Sequence, residues 1–498
     1  MHISYLLILP ILLPVLSGLL AGFCRPAQKP ARLRFFLIAA PALSAAAVLA
    51  LSLIPETRLV VFRFTDRLPL LFRNDGPALA FCGLSSLIFL LIGVYCPAYM
   101  QYEAAESRFA MFYLLVLGML MGLGFSGNLF TLYLFLEGMT LCAIPLVLHS
   151  MKREAIAAAF QYLYYSIAGA TLGLLGFFFI YQYGTSLEFT AGGVLDMQIL
   201  SGHEEGLLFV IMLAIIGFGA KAGMFPLHAW LPAAHPVAPA PASAVLSGVV
   251  AKAGVFAVIR FVFYLVGPDF IRGTWVQSAW ISLTLFTVLM GSLLAFREPV
   301  LKRRLAYSSV SQISYILFGL ALLTADGVTG ALLHIFVHSV VKSALFLAAG
   351  MISLVTQKTN VLGLRGAGKQ LPVTMTCFTL LALAAAGVPP TGGFVSKWYL
   401  AAGALSSDMG FLSLLGPAVL MLSALLTAGY LLSIAVHAFF PGADFEGAGG
   451  NSAGYAGERS LSGALLIPVL LLTAAALISG LFPGALLSLS EKLAAGMF

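Results

Sequence analysis

The chain consists mostly of uninterrupted apolar runs of about 20 residues, the length that a helix needs to cross the hydrocarbon core of a bilayer. Of its 498 residues, 61% are hydrophobic and only 9% are charged. A soluble domain carries about 25% charged residues, so a single water-soluble enzyme is excluded. An outer-membrane barrel is excluded as well, because its strands would alternate apolar and polar residues.

These runs predict an all-α polytopic membrane protein with about fourteen transmembrane helices. Two of the spans contain Gly and Pro interruptions, one around Pro226 in IIGFGAKAGMFPLHAWLP and one around Pro390 in LAAAGVPPTGGFVSKW. Unwound backbone at membrane depth is tolerated only where it is buried in protein or lines a wet cavity. A corresponding pair of broken spans therefore indicates a transporter built from inverted repeats.

The spacing of the two breaks leaves room for five helices in each repeat. We expect peripheral transmembrane helices in 1–108, the two inverted five-helix repeats in 109–266 and 275–440, and a C-terminal transmembrane helix in 461–498. A Gly-rich polar loop occupies 441–460. Most Lys and Arg residues outside the spans lie in the loops of one face. The positive-inside rule then places both termini outside a cell inner (plasma) membrane.

The five cysteines are isolated from one another and form no CxxC pair. Iron–sulfur, haem and structural zinc sites need clusters of ligands. We therefore expect no cofactor, no metal and no catalytic centre in this chain.

Charged residues inside the spans are the strongest functional signal. A Lys near the bilayer centre costs about 2.5–3.5 kcal/mol on insertion scales, and intramembrane charges of this kind mark ion pathways. Four lysines occupy such positions: Lys221, Lys252, Lys342 and Lys397. Arg260 lies near a helix end, where we expect it to snorkel to the interface. Glu137 is the one acidic residue in mid-span and is a candidate partner for Lys221, either switchable or as a static bridge.

The segment HIFVHSVVK places His334, His338 and Lys342 on one helical face at spacings of four residues. The stripe is about 12 Å long at 1.5 Å per residue. Titratable groups aligned in this way suit a proton relay, since His both accepts and donates protons near neutral pH. The alternatives are a helix–helix hydrogen bond and a zinc site, although no third ligand is present in the motif.

Two of the lysines carry a more specific expectation. Lys252 follows Ala244 and Gly248 on a small-residue face that permits close helix packing, so it should point inward. Its alternative role is to bond free carbonyl groups of a broken helix. Lys397 follows the second break, near the start of a helix. The helix dipole disfavours a cation there, which suits a group that must release its proton.

Four segments of the chain resemble those of a known family. They are GFGAKAGMFPLHAWLPAAHPVAPAPASAVLSGVVAKAGVFAVIR, KRRLAYSSVSQISYILFG, ALLHIFVHSVVKSALFLAAG and GVPPTGGFVSKWYL. In order and spacing, the region 60–440 resembles the antiporter-like, proton-translocating subunits of respiratory complex I, membrane-bound hydrogenases and Mrp cation/proton antiporters. One departure is Leu136, where many members have Trp.

The resemblance implies a Glu on the fifth helix that pairs with a Lys on the broken seventh helix. It also implies a central Lys on the eighth helix, His and Lys residues on the eleventh, and a Lys or Glu on the broken twelfth. The matching residues for proton translocation are Glu137, Lys221, His228, Lys252, His334, His338, Lys342 and Lys397. It further implies other membrane subunits as partners, including homologous antiporter-like ones, with protons and possibly sodium as cargo and no nucleic acid.

Three hypotheses follow from these features. The first is a proton-translocating subunit of a redox-driven translocase, of the NADH:quinone oxidoreductase or hydrogenase type. The second is the D-type subunit of a Mrp-type Na⁺/H⁺ antiporter. A Lys rather than a Glu at position 397 resembles the pattern of that subunit. The third is a structural or quinone-site scaffold, which the two broken, Lys-bearing helices disfavour.

Overall fold

The computed structural model describes residues 3–442, 457–458 and 461–498. Most of the predicted Gly-rich loop lies outside these residues. Within them the chain is a bundle of long helices, as expected from the uninterrupted apolar runs. The N-terminal part begins with a 3₁₀ turn at Ile3–Ile8 and continues into α1 (Leu9–Phe23), α2 (Pro30–Ser52), α3 (Gly76–Met100), α4 (Glu106–Gly124), α5 (Leu129–Val147) and α6 (Arg153–Tyr183).

The middle of the chain holds the first broken helix and the most deeply buried one. Its elements are α7 (Met197–Leu200), α8 (Glu204–Ala222), α9 (Trp230–Val237), α10 (Ala240–Val245), α11 (Ala251–Phe261), α12 (Pro268–Ile271), α13 (Trp275–Arg297) and α14 (Leu301–Ala321). One π-helical turn, Leu246–Val250, joins α10 to α11, and a second, Val262–Val266, follows α11.

The C-terminal part contains the second broken helix. It comprises α15 (Ala325–Thr356), α16 (Ala367–Gln370), α17 (Pro372–Ala386), α18 (Gly392–Leu405), α19 (Phe411–Phe439), α20 (Gly463–Leu481) and α21 (Gly484–Ala495). The last of these forms a separate helix after α20 and packs on α15.

Twelve of the described helices are long and apolar enough to cross a membrane, by length and composition. The chain is thus an all-α polytopic membrane protein. The count of about fourteen spans and the inverted repeats stay predictions. α17 and α18 are each too short to be counted separately, and α14 carries several serines and a glutamine on its buried surface.

The structure also contains a small β-hairpin that was not predicted from the sequence. Strand β1 (Arg58–Arg63) pairs antiparallel with β2 (Pro69–Arg73), with an irregularity between Val60 and Phe62. The hairpin packs on the chain between α4 and α5, where Gly127 donates its N–H to the carbonyl of Leu71 at 2.9 Å. It therefore covers one end of the bundle, close to the loop between α6 and α8.

The centre of the bundle is the continuous helical stretch from Ala240 to Val266, in which every residue is buried. It is flanked by α8 and by α15, most of which is also buried. α15 in turn contacts α14 and α18. This arrangement brings the spans that carry the four lysines side by side.

The two broken helices are built alike. The first halves, α8 and α17, end at Gly223 and Gly387, whose φ angles of 82° and 85° are left-handed. Glycine adopts this conformation without steric cost and commonly ends helices. In the second break, Gly393 also allows close approach, since a Cβ there would collide with the carbonyl oxygen of Ala384. The predicted interruptions are therefore confirmed at both positions.

Candidate functional site: a buried row of lysines and histidines

Lys221 lies in the last turn of α8, beside the first break, and only 5% of its surface is exposed. Its ammonium donates hydrogen bonds to the hydroxyls of Thr140 on α5 and Ser166 on α6, the latter at 3.0 Å. It also lies 4.9 Å from the centroid of the Tyr162 ring. The free carbonyls at a helix C-terminus favour a cation, so this position stabilises an ammonium without a carboxylate.

Glu137 lies three residues before Thr140 on α5 and is half-buried. Among the described residues it forms no ion pair within 4.0 Å, so the predicted direct contact with Lys221 is not made in this structure. Lys221 reaches the Thr140 hydroxyl instead, which itself donates to the Leu136 carbonyl at 2.9 Å. The two charges act on each other electrostatically across this hydroxyl.

Lys252 follows the π-helical turn at the centre of the bundle and is 1% exposed. Its ammonium donates to the carbonyl of Ser247, a residue of that turn. A π-turn shifts the helical hydrogen-bond ladder and often lies at functional sites. The Ser247 hydroxyl pairs at 2.8 Å with that of Ser309 on α14. Lys252 thus points inward, as predicted, and its hydrogen-bond acceptor is a carbonyl of its own helix.

The stripe on α15 is buried along its whole length. His334 bonds through Nδ1 to the Ser396 hydroxyl at 2.9 Å and through Nε2 to Gln312 at 3.1 Å. His338 stacks on His334 with ring centroids 5.9 Å apart, and neither of its nitrogens has a partner among the described residues. Lys342 donates to the Leu305 carbonyl at 3.1 Å and to the Ser308 hydroxyl.

Lys397 lies in the second turn of α18, but its ammonium reaches back across the break. It donates to the carbonyls of Ala385 and Ala386, at 2.7 and 2.9 Å, at the end of α17. The expectation that a helix N-terminus destabilises this cation is therefore wrong, because the nearest helix end is a C-terminus. Lys397 also lies 5.1 Å from the Tyr315 ring centroid, and Tyr315 stacks on His334.

His228 is placed differently from the other predicted residues. It lies in the turn between α8 and α9, is half-buried and stacks on Phe225. Its Nδ1 has no partner among the described residues. No hydrogen bond of the described chain joins its ring to one of the four lysines.

A family model described as NADH:quinone oxidoreductase/Mrp antiporter, TM, matches residues 126–435, which include every residue of the row. The chain belongs to this family.

Relatives from three kinds of complex share the family sequence. The N-type subunit of the NADH-quinone oxidoreductase of Desulforudis audaxviator is 35% identical over 412 residues, 81% of this chain and 79% of that protein. Hydrogenase-4 component B of Escherichia coli is 31% identical over 68% of this chain, which spans about half of that longer protein. The D-type subunit of the Na⁺/H⁺ antiporter of Bacillus subtilis is 29% identical over 87% of this chain and 86% of the relative.

Solved structures show the same fold. A chain of the Mrp complex from Dietzia sp. DQ12-45-1b superposes with a TM-score of 0.86 at 24% identity, covering 100% of this chain and 98% of that one. A chain of respiratory complex I from Thermus thermophilus gives 0.77 at 25% identity, covering 99% and 100%. This antiporter-family chain therefore has the fold of subunits from both kinds of complex.

The structure does not confirm the position predicted for Arg260 at the membrane interface. The residue is completely buried and does not snorkel. Its guanidinium makes two hydrogen bonds to Asp75, at 2.8 and 2.5 Å, and lies among the rings of Phe189, Phe256 and Tyr264. Asp75 also caps the start of α3 and accepts from Arg73. The sequence holds no signal that joins Arg260 to Asp75, which lies 185 positions away.

Polar side chains of α14 were missed as well. Ser308 accepts from Lys342, Gln312 bonds to His334, and Ser309 pairs with the hydroxyl of Ser247, whose carbonyl accepts from Lys252. All three α14 residues are nearly unexposed. Ser308 and Gln312 are four residues apart on one helical face, which is the signal that could have found them.

Proposed function

We propose that this chain is a proton-translocating transmembrane subunit of a multisubunit ion-pumping complex, of the complex I or membrane-bound hydrogenase type. The observation that carries the proposal is the row of five buried residues, Lys221, Lys252, Lys342, His338 and His334, together with the half-buried Lys397. The hydrogen-bonding partners found in this row are hydroxyls, an amide and carbonyls. A purely structural role does not account for so many titratable groups, because burying each one costs free energy.

The chemistry that we propose is stepwise transfer along this row. A buried lysine that gives up its proton becomes a neutral amine and can receive another. The hydroxyls of Thr140, Ser166 and Ser308 both donate and accept, so they can pass a proton between an ammonium and adjoining water. A second positive charge arriving nearby makes the next ammonium less favourable and drives its proton onward.

Glu137 has the role of a switch in this scheme. When its carboxylate approaches Lys221, the pair holds the proton, because a charge-assisted hydrogen bond is stronger than one to a neutral hydroxyl. When the pair is open, as in the present geometry, the proton of Lys221 is free to move towards Lys252.

The partners follow from the same proposal. The subunit would assemble with other membrane subunits, including homologous antiporter-like ones, in a cell inner membrane with both termini outside. Support comes from the relatives and solved structures, in which similar chains belong to such assemblies.

The test is proton transport by the assembled complex in membrane vesicles. Glu137→Ala and Lys221→Ala should each lower the rate about 100-fold, the scale of a lost proton-transfer group, while the complex still assembles. Lys369→Ala is the matched control, because Lys369 is exposed outside the row. Full transport by either row variant contradicts the proposal.

A second candidate is the D-type subunit of a Mrp-type Na⁺/H⁺ antiporter. It is favoured by the 86% coverage of the Bacillus subtilis relative and by the fold of the Dietzia Mrp chain. Proton movement that requires an opposing sodium gradient and no electron donor would support this candidate over the first. Identifying the subunits that co-purify with the chain would also distinguish the two candidates.

A further inference from the structure

His235 is a buried histidine outside the row described above. It lies near the end of α9, is 0% exposed, and neither ring nitrogen has a partner among the described residues. Buried polar groups are nearly always hydrogen-bonded, to protein or to ordered water. Two orphan nitrogens on one imidazole therefore indicate water beside the ring on both sides.

The position of the ring extends the α15 stripe. It stacks on Phe346, with centroids 4.5 Å apart and planes 22° from parallel. Phe346 follows Lys342 by four residues, as Lys342 follows His338, so the three share one helical face. His235 thus lies at the end of the stripe opposite His334. Lys342, Lys302 and Lys252 are the charged groups that act on it electrostatically.

A cleft of about 470 Å³ opens beside the turn that follows this histidine. Its wall includes the four residues that follow His235, from Pro236 to Pro239. The rest of the lining includes the polar residues Glu103, His149, Ser150, Lys152, Glu154 and Lys302. Lys302 donates to the Ala238 carbonyl at 2.9 Å and so ties α14 to this turn. The volume and the charged lining suit water.

We propose that His235 is a proton-relay residue that connects this cleft to Lys342 and the central row. The inference rests on the proposed function and adds the site at which one aqueous face meets the row. A proton from cleft water binds one ring nitrogen, and the other nitrogen releases its proton to water beside the neutral amine of Lys342. This release leaves a neutral imidazole in the other tautomer, and tautomer exchange through water or rotation of the ring restores the starting arrangement.

The experiment compares transport by the assembled complex in vesicles for His235→Phe, His235→Ala, Lys342→Ala and a control. Phe preserves the stack on Phe346 but carries no proton, so His235→Phe should slow transport about tenfold or more. Imidazole added to His235→Ala should restore part of the rate if it enters the vacated space from the cleft, which the residues directly after His235 line. His437→Phe is the control, since His437 lies on α19 and bonds the Ser433 carbonyl of its own helix.

The outcomes separate the two proposals. Lys342→Ala at the parental rate overturns the proposed function, and this inference with it. If Lys342→Ala is inactive and His235→Phe transports at the parental rate, only the relay role of His235 is overturned. Slow transport in both His235 variants without rescue by imidazole assigns the residue to packing and also overturns the relay.

Discussion

The four intramembrane lysines are held by neutral groups. Among the described residues none of them forms an ion pair within 4.0 Å, and their acceptors are hydroxyls and backbone carbonyls. A charge-assisted bond to a carboxylate is stronger than a bond to a neutral acceptor. A proton on such a lysine is therefore less tightly retained than in a buried salt bridge, which suits a residue that must exchange it.

Lys397 allows a sharp test of this argument. Arg retains the positive charge and can also donate to the two carbonyls at the end of α17, but it does not deprotonate in proteins. Lys397→Arg should therefore lower transport about 100-fold, the scale of effect expected for a proton-transfer group. The measurement is proton transport by the assembled complex between about pH 6 and 8, the range around the ordinary pKa of His.

The control is Lys369→Arg, at an exposed position on α16. Because Arg is larger than Lys, the yield of assembled complex must be measured first for both variants. If Lys397→Arg assembles and transports at the parental rate across this pH range, Lys397 is a structural cation and not a proton carrier.

At the scale of elements, Asp75 and Arg260 clamp three segments together. Asp75 caps α3, Arg260 belongs to α11, and Arg73 at the end of β2 bonds both Asp75 and the Phe189 carbonyl. Burial alone would raise the pKa of Asp75. The charges of Arg260 and Arg73 and the hydrogen bonds that the carboxylate accepts outweigh it, so the pKa lies below its ordinary value of 3.8.

Asp75→Asn should destabilise the protein by about 3–5 kcal/mol, because it leaves the buried guanidinium of Arg260 without its counter-charge. The folded-state pKa of Asp75 is lowered, so its stabilisation is complete above pH 3.8 and is lost as pH falls through the folded-state pKa. Thermal unfolding in detergent should show a large difference between parent and variant at neutral pH that shrinks in acid.

Asp269→Asn is the matched control, since Asp269 pairs with Arg272 on the surface and its side chain is 85% exposed. An exposed pair of this kind contributes little, so unfolding should be unchanged. Equal unfolding temperatures for the Asp75 variant and the parent at neutral pH would contradict the clamp.

The elements differ in how far the sequence could predict them. The broken helices around Pro226 and Pro390 were predictable, because Gly and Pro act locally on the backbone. The hairpin was not, since its strands are only six and five residues long and alternate weakly. The sequence could not predict the contacts of individual side chains either. The sequence places Lys397 within a span, but the direction of its side chain depends on how α17 and α18 meet.

For the whole molecule, the row must communicate with the two faces of the membrane without a continuous aqueous path between them. The polar cleft beside the turn after His235 provides contact with the face that carries the loop 148–152. We predict that Lys397, across the second break, communicates with the opposite face. Under the positive-inside assignment, the cleft faces the inside of the cell.

Single cysteines at the two ends test this arrangement in vesicles of known orientation. Val237→Cys lies in the cleft wall, and Val388→Cys lies in the second break, where the parental valine is 38% exposed. A membrane-impermeant thiol reagent should label Val237→Cys only from the cleft face and Val388→Cys only from the other. The parent chain measures background labelling, expected mainly at the half-buried Cys24 and Cys142 because Cys82, Cys96 and Cys377 are buried. Labelling of both positions from one face would mean that the two halves share an aqueous side, and proton transfer along the row could not then carry charge across the membrane.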